Sequence, residues 1–410
     1  MSRRRPAGAA REKLGGVARV KVVVVASLAY SLVNFRGRLL ADMKAAGHDV
    51  IACAPDDDAD VRAWLVRQGI GWRRIPMARV GLNPFVDLGT LRALLALLRA
   101  ERPDIVLAYT QKPIIYAGLA TRLTGTRFFA MVSGLGHVYG EEVSSRMRLL
   151  RRGVSVLYRA ALRHARAVFV FNRDDRAELL RHRIIDVDTP VVQVPGSGID
   201  IDRFAHVAPP PAPVFLMIAR LLRAKGVHDF VAAARIVRRR HPQARFRLLG
   251  PTDPGPDGIT HVELERWVSE GTIDYLGETR DVRRFLADAS VFVLPSWYRE
   301  GLPRTILEAM ATGRAVVTTD RPGCRDPIEE GVNGFVVPAR DVDALAVAME
   351  RFAAEPSLAA QMGAQARRTA TARYAVERVN HILLDTMELL PATPVTAPGR
   401  RVDPPAEAAA

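Results

Sequence analysis

"VAPPPAP", residues 207–213, divides the chain into two halves built on one repeating pattern. Upstream of it, the β-rich runs 19–26, 49–54, 105–109, 128–132, 167–171 and 191–194 alternate with helical periodicity such as FRGRLLADMKAAGH and DLGTLRALLALLRAERP. Downstream the alternation restarts with VFLMIARL, RFRLLG, IDYLG, VFVLPS, AVVTTD and GFVVP. Strands buried on both faces of a parallel sheet read as such apolar runs, and intervening helices supply the crossovers. The expected fold class is therefore α/β, two Rossmann-like units around a cleft. The expected boundaries are a flexible basic tail (1–18), a first Rossmann-like unit (19–207), a Pro-rich linker (208–213) and a second Rossmann-like unit (214–374). A helix (375–390) is expected to return to the first unit, before a disordered tail (391–410).

With 410 residues and 49% hydrophobic content, the chain can fill two cores of ordinary size. Its two cysteines, Cys53 and Cys324, have no metal-ligand spacing and are too few for a disulfide framework, which fits a reducing, cytoplasmic compartment. The basic start MSRRRPAGAAREKLGG is not followed by a signal-peptide core, and the apolar stretch near Val22–Val33 is too short and polar to cross a bilayer. Any membrane contact is thus expected to be peripheral. Residues 1–207 carry 33 Lys and Arg against 19 Asp and Glu (+14), whereas residues 208–410 carry 26 against 25 (+1). An excess concentrated in one half points to an anionic partner for that half. Nucleic acid is a poor choice, because aromatic content is only 6% and no binding module is visible.

Rossmann-like units commonly announce themselves by a glycine-rich loop. Here VVVVASLAYSLVNFRG replaces G-x-G-x-x-G after the first strand, no G-x-x-x-x-G-K-[ST] occurs, and SGLGHVYG (133–140) has the wrong spacing. Nicotinamide enzymes and P-loop kinases lose weight, and a ligand held between the units gains it.

Two glutamates stand eight positions apart in YREGLPRTILEAMATG (298–313). PSWYREGLPRTILEAMATGRAVVTTDRPGCRDPIEEGVNGFVVP, which contains them, closely resembles the donor-site signature of the retaining family 4 glycosyltransferases, whose two-domain fold is called GT-B; Glu300 and Glu308 match its E-x7-E motif. Pro303 suits the first turn of a helix, so Glu300, Gly301 and Leu302 lead to an N-terminus whose free N–H groups suit a diphosphate. Glu308 then lies about 7.5 Å along that axis from Pro303. The resemblance implies that Glu300 meets hydroxyls of the transferred sugar and Glu308 the ribose. It also implies that Arg220 and Lys225, in FLMIARLLRAKGVHDF, hold the donor diphosphate. Fixed cations there stabilise a leaving nucleoside diphosphate without a metal, and no carboxylate cluster with Mg²⁺ spacing is visible; no cofactor is expected.

SLVNFRGRLL, AYTQKPIIYAGLA, MVSGLGHVYG, VFVFNRDD and VPGSGIDIDRF resemble bacterial transferases that build lipid-linked oligosaccharides, O-antigen or capsule, a likeness running from about Val20 to Leu384. It implies a nucleotide-sugar donor with UDP preferred over GDP, a polyprenyl-diphosphate-linked saccharide acceptor, and work at the inner face of the cytoplasmic membrane. Gly37, taken as a helix start after the first strand, would let backbone approach the donor phosphates. Lys112 in TQKP is a candidate for the acceptor phosphate. Many relatives carry a histidine after the fourth strand; Ser133 stands nearest that place and His137 four residues later, so both are acceptor-side candidates. The family transfers with retention, and no obvious carboxylate nucleophile lies in the first half, so front-face attack is expected. Rival readings are a nucleotide-sugar 2-epimerase, a transferase acting on a soluble acceptor, and a non-catalytic sugar binder.

RMRLLRRGVSVLYRAALRHAR (146–166) lies in a stretch, 143–173, without acidic residues. At 100° per residue Arg148, Arg151, Arg152, Arg159, Arg163 and Arg166 share an arc of about 120°, opposite Val154, Leu157 and Ala161. A helix with one cationic face, or two shorter ones broken at Gly153, would suit an anionic membrane surface.

Overall fold

The computed structural model describes residues 13–14, 17–78, 83–134, 139 and 145–390. Two short strands, β1 (Lys13–Leu14) and β2 (Val17–Ala18), pair antiparallel within the segment expected to be a loose tail. The amino half then carries β3 (Lys21–Val25), β4 (Asp49–Ala54), β5 (Gly71–Arg74), β6 (Ile105–Tyr109), β7 (Arg127–Val132), β8 (Ala165–Val170) and β9 (Val191–Gln193) in one parallel sheet, ordered β5-β4-β3-β6-β7-β8-β9. Its helices are α1 (Ala29–Ala45), α2 (Ala59–Arg67), α3 (Pro84–Glu101), α4 (Gln111–Thr124), α5 (Ser145–Leu162) and α6 (Arg173–Arg181).

The carboxyl half repeats the plan. Strands β10 (Val214–Ile218), β11 (Arg245–Leu249), β12 (Asp274–Tyr275), β13 (Val291–Leu294), β14 (Ala315–Thr319) and β15 (Gly334–Val337) form a second parallel sheet, ordered β12-β11-β10-β13-β14-β15. The helices are α7 (Val227–Arg240), α8 (His261–Ser269), α9 (Arg283–Ala287), α10 (Arg304–Thr312), α11 (Val342–Ala354), α12 (Pro356–Tyr374) and α13 (Val376–Thr386). In each sheet the strand order reverses at the first long strand, β3 or β10, and such a reversal opens a crevice at the carboxyl ends of the strands. These are two α/β units of the GT-B type.

Apolar side chains cover both faces of the first sheet, and a third cluster forms the core of the second unit. The chain changes core earlier than the proline run suggests. Val194 belongs to the first core, but Ile199 and Phe204 already belong to the second, so the changeover falls between them and not at 207–213. The return crossing runs alongside, with Ile199 N–H donating to the Tyr374 carbonyl (2.8 Å) and Val376 N–H to the Ile199 carbonyl (2.9 Å). Beyond it, α13 delivers Val379, Leu383 and Leu384 into the first core, together with Met387 and Leu389.

Helix α5 differs from its sequence reading in three ways. It runs unbroken through Gly153 and ends at Leu162, so Arg163 lies beyond it and Arg166 sits in β8. Arg159 has an acidic partner after all, Asp186 at 2.8 Å. Leu157 faces out, as do Leu149 (72% exposed) and Val156 (68%), whereas Val154, Tyr158, Ala161 and Leu162 are buried. The outer face is therefore mixed cationic and apolar. Its inner face approaches α4 closely at Gly118, where a Cβ would stand 2.8 Å from that of Ala161.

Candidate active site

Between the halves lies a cleft of about 510 Å³. The wall from the carboxyl half is built by three local devices. After β10, a single 3-10 turn (Arg223–Lys225) ends at Gly226, whose φ of +77° and contact with the Pro295 carbonyl leave no room for a Cβ. That turn places the Lys225 ammonium directly on the Glu300 carboxylate, and Ser296 Oγ donates to the same carboxylate oxygen at 3.2 Å. Both partners are mostly buried, and the Tyr298 ring lies 5.2 Å from the Lys225 ammonium.

The second device is α10. Pro303 is its N-cap, one position before the first turn, and contributes no side-chain cap to the N–H groups there. Glu308 sits on the buried face of α10 and accepts from Arg304 Nε at 2.9 Å. Burial pushes the Glu308 carboxyl upward and Arg304 pulls it partly back. Arg304 in turn lies 5.6 Å from the ring of Phe35 on α1, across the cleft. Third, Arg220 extends from the end of β10 and pairs with Asp253 at 3.1 Å while staying half exposed.

The amino half grips the loop that carries Glu300. A Cβ on Gly301 would stand 2.5 Å from the Ser133 carbonyl oxygen, so only glycine allows the two backbones to meet. Asn172 Nδ2 donates to the Gly301 carbonyl at 2.6 Å, Arg299 pairs with Glu178 at 3.2 Å, and Arg325 pairs with Asp174 at 2.9 Å. Leu302 packs against the cores of both halves. Farther along the cleft Arg280 bonds Asp60 at 2.9 Å and stacks 5.5 Å from the Tyr30 ring.

Of the candidates named from sequence, Glu300, Glu308, Arg220, Lys225, Gly301, Leu302, Pro303 and Ser133 all line this cleft. Gly37 and Lys112 do not. Gly37 is the ninth residue of α1, buried with Trp64 3.4 Å from where a Cβ would be, and no helix starts there. The true start is Ala29, whose N–H is capped by Asp56. Lys112 is spent on Asp87, 2.8 Å away and nearly buried with it. His137 lies outside the described residues.

Two features went unassigned in the sequence. The FNRDD segment at the start of α6 reads locally as an N-cap, which Asn172 is, accepting from the Asp175 N–H at 2.6 Å; its bond to Gly301 lies 129 positions away in sequence and leaves no local trace. Arg36 also lines the cleft, although only 3% exposed.

Residues 33–196 match the glycosyl transferase 4-like domain and residues 212–355 the glycosyl transferases group 1 family. The chain is 28% identical over 320 residues, 74% of its length and 82% of the relative's, to the N,N'-diacetylbacillosaminyl-diphospho-undecaprenol alpha-1,3-N-acetylgalactosaminyltransferase of Campylobacter jejuni. It is 25% identical over 313 residues, 72% and 75% of the two lengths, to the UDP-Gal:alpha-D-GlcNAc-diphosphoundecaprenol alpha-1,3-galactosyltransferase of Escherichia coli. In fold it superposes on the sucrose-phosphate synthase of Thermosynechococcus elongatus with a TM-score of 0.73 at 20% identity, over 90% of this chain and 98% of that one. The chain belongs to the two-domain glycosyltransferases that join a family 4-like amino-terminal domain to a group 1 carboxyl-terminal domain.

Proposed function

We propose that this enzyme moves a sugar, with retention and without a metal, from a UDP-sugar to a hydroxyl of a saccharide carried on polyprenyl diphosphate, for a bacterial surface polysaccharide or glycan. The observation that carries the reading is Glu300, fixed between Lys225 and Ser296 on a loop that both halves hold, eight positions before a buried Glu308 on α10. Glu300 takes hydroxyls of the donor sugar, Lys225 and Arg220 take the diphosphate, and Glu308 takes the ribose. The Gly301–Pro303 backbone leads into the α10 N-terminus, which favours the negative charge that develops as the bond from the anomeric carbon to the phosphate oxygen breaks.

Retention is supported by the relatives' names. UDP-galactose is an α-linked donor, and the named product linkage is again alpha. In a front-face reaction the acceptor oxygen bonds the anomeric carbon on the side that the diphosphate leaves, and the acceptor proton passes to a donor phosphate oxygen. Metal independence is supported by the cations lining the donor wall, which can take up the charge of the leaving diphosphate.

The membrane is the third partner. No described helix is long and apolar enough to cross one. The reading of peripheral binding at the inner face of the cytoplasmic membrane is supported by α5, which exposes Leu149, Val156 and Leu157 among Arg148 and Arg152, a mixture suited to a headgroup layer. A screen of UDP- and GDP-sugars against a synthetic polyprenyl-diphosphate saccharide, read by mass spectrometry, tests the assignment. Mass gain of the acceptor by one sugar is the expected result. Conversion of donor in the absence of acceptor would instead indicate the epimerase.

A further inference from the structure

Among the described residues Arg36 has no counterion. Its guanidinium is 3% exposed, lines the cleft, and lies 5.5 Å from the Tyr109 ring and 5.7 Å from the Phe171 ring. Its Nε is buried without a hydrogen-bond partner, and no carboxylate comes within ion-pair distance of it among the described residues. Burial opposes its charge most, and Arg304, another cation, opposes it further. Burial lowers its pKa to about 10, so it stays charged at neutral pH.

This arrangement is costly for folding alone. An unpaired buried charge loses most of its hydration, and contact with aromatic faces returns only part of what is lost. Four other cations of the cleft are each neutralised by a carboxylate: Lys225 by Glu300, Arg304 by Glu308, Arg220 by Asp253, Arg280 by Asp60. Arg36 is set up differently, and the hydroxyls around it bond one another and the backbone, not the guanidinium. Tyr109 Oη and Ser31 Oγ are hydrogen-bonded at 2.9 Å. Thr110, next to Tyr109, bonds Ser27 at 3.0 Å and is the N-cap of α4 with φ 68° and ψ 157°, a region that only glycine enters freely. Such strain is retained where surrounding structure fixes it, commonly beside a ligand, and the fourteen-residue α4 points its positive end from that residue.

We infer that Arg36, with the amino terminus of α4, forms a second oxyanion subsite on the amino-terminal wall of the cleft, and that it receives a diphosphate. The planar guanidinium offers the paired N–H geometry that phosphate oxygens accept. The inference rests on the reading above, in which both donor and acceptor carry a diphosphate, and either could be the one received.

The test compares Arg36→Met and Arg36→Lys with wild type, using UDP affinity by calorimetry and turnover kinetics on a synthetic polyprenyl-diphosphate saccharide. Arg36→Met should unfold at the same or a higher temperature than wild type, because it removes an uncompensated charge and keeps the volume. Its acceptor KM should rise at least tenfold with UDP affinity unchanged if the diphosphate is the acceptor's. A tenfold loss of UDP affinity with acceptor KM unchanged would assign the subsite to the donor. Arg36→Lys keeps the charge without the fork and should move the same constant three- to tenfold. Should Arg36→Met fail to fold, Arg36→Lys decides alone. Both constants within twofold of wild type in a folded variant overturn the inference. Failure of wild type to bind UDP at all would remove the underlying reading, a separate and recognisable result.

Discussion

The two walls of the cleft handle charge in opposite ways. On the carboxyl-terminal wall Lys225, Arg304 and Arg220 each meet a carboxylate from the same half of the chain. On the amino-terminal wall the buried cation Arg36 meets only rings and hydroxyl-bearing neighbours. The same contrast holds for the halves as wholes, one nearly neutral and the other carrying almost all of the net charge of +15. A wall whose charges are already paired is preorganised, so its groups do not have to reorient as charge develops on a leaving group. A wall with uncompensated positive charge gains most when an anion arrives. On the proposed reading, the first wall performs the transfer and the second recruits.

The sharpest way to break this contrast is at Glu300. Glu300→Gln keeps the shape but removes the charge that Lys225 faces, so kcat should fall at least 100-fold, about 2.7 kcal/mol of barrier, while UDP affinity stays within threefold. Near-normal turnover would remove Glu300 from the reacting sugar and leave it a structural partner of Lys225. Arg220→Ala addresses the more exposed end of the same wall. Its pair with Asp253 is half exposed and contributes little to stability, so unfolding should not change, but UDP should bind about tenfold more weakly, about 1.4 kcal/mol. Unchanged affinity by calorimetry would move the diphosphate away from it.

The outer surface of the amino half offers a smaller effect. Replacing Leu149 and Val156 by Ser and Arg152 by Gln leaves the buried face of α5 intact. The variant should sediment five- to tenfold less with anionic vesicles at low salt, while turnover on a short-chain, water-soluble acceptor is retained. Arg159 is a poor choice for this experiment, because its pair with Asp186 ties α5 to the segment after α6. Wild type that ignores anionic vesicles at low salt would favour a soluble acceptor.

How much of this was legible depended on how local the cause was. The six runs of the carboxyl half became its six strands because strands buried on both faces must be apolar throughout. The edge strand Gly71–Arg74, GWRR, is half exposed with two arginines outward and carries no such run, so it was missed. The donor wall was readable because Glu300, Pro303 and Glu308 fall within one turn and one helix. The misplaced site residues arose from partners distant in sequence. Asp56 caps α1 from 27 positions away and moves the helix start from Gly37 back to Ala29; Asp87 consumes Lys112 from 25 positions away; the rings that flank Arg36 come from the ends of two other strands. Single-sequence periodicity contains none of these.

The clasp between the walls offers the most specific prediction, at Asp175. This carboxylate is buried beside Asn172, whose amide donates to it at 3.1 Å and to the Gly301 carbonyl at 2.6 Å. Burial raises its pKa to about 7, with Asp174 and Asp326 adding to the shift and Arg299 opposing it. An unfolded aspartate titrates near about 3.9. Between roughly pH 4 and pH 7 the folded protein therefore keeps a proton that the unfolded chain has lost, so this group's contribution to stability is fully present at the acid end of that window and declines as pH rises through it, by at most about 1.4 kcal/mol per unit. Asp175→Asn keeps an acceptor for Asn172 and removes the titration. Urea unfolding at pH 5, 6, 7 and 8 should show the variant gaining on wild type as pH rises, with the difference levelling above pH 7. A difference independent of pH would mean that Asp175 is charged throughout, held by Arg299, and that the clasp between the two walls is an ion pair like those of the donor wall.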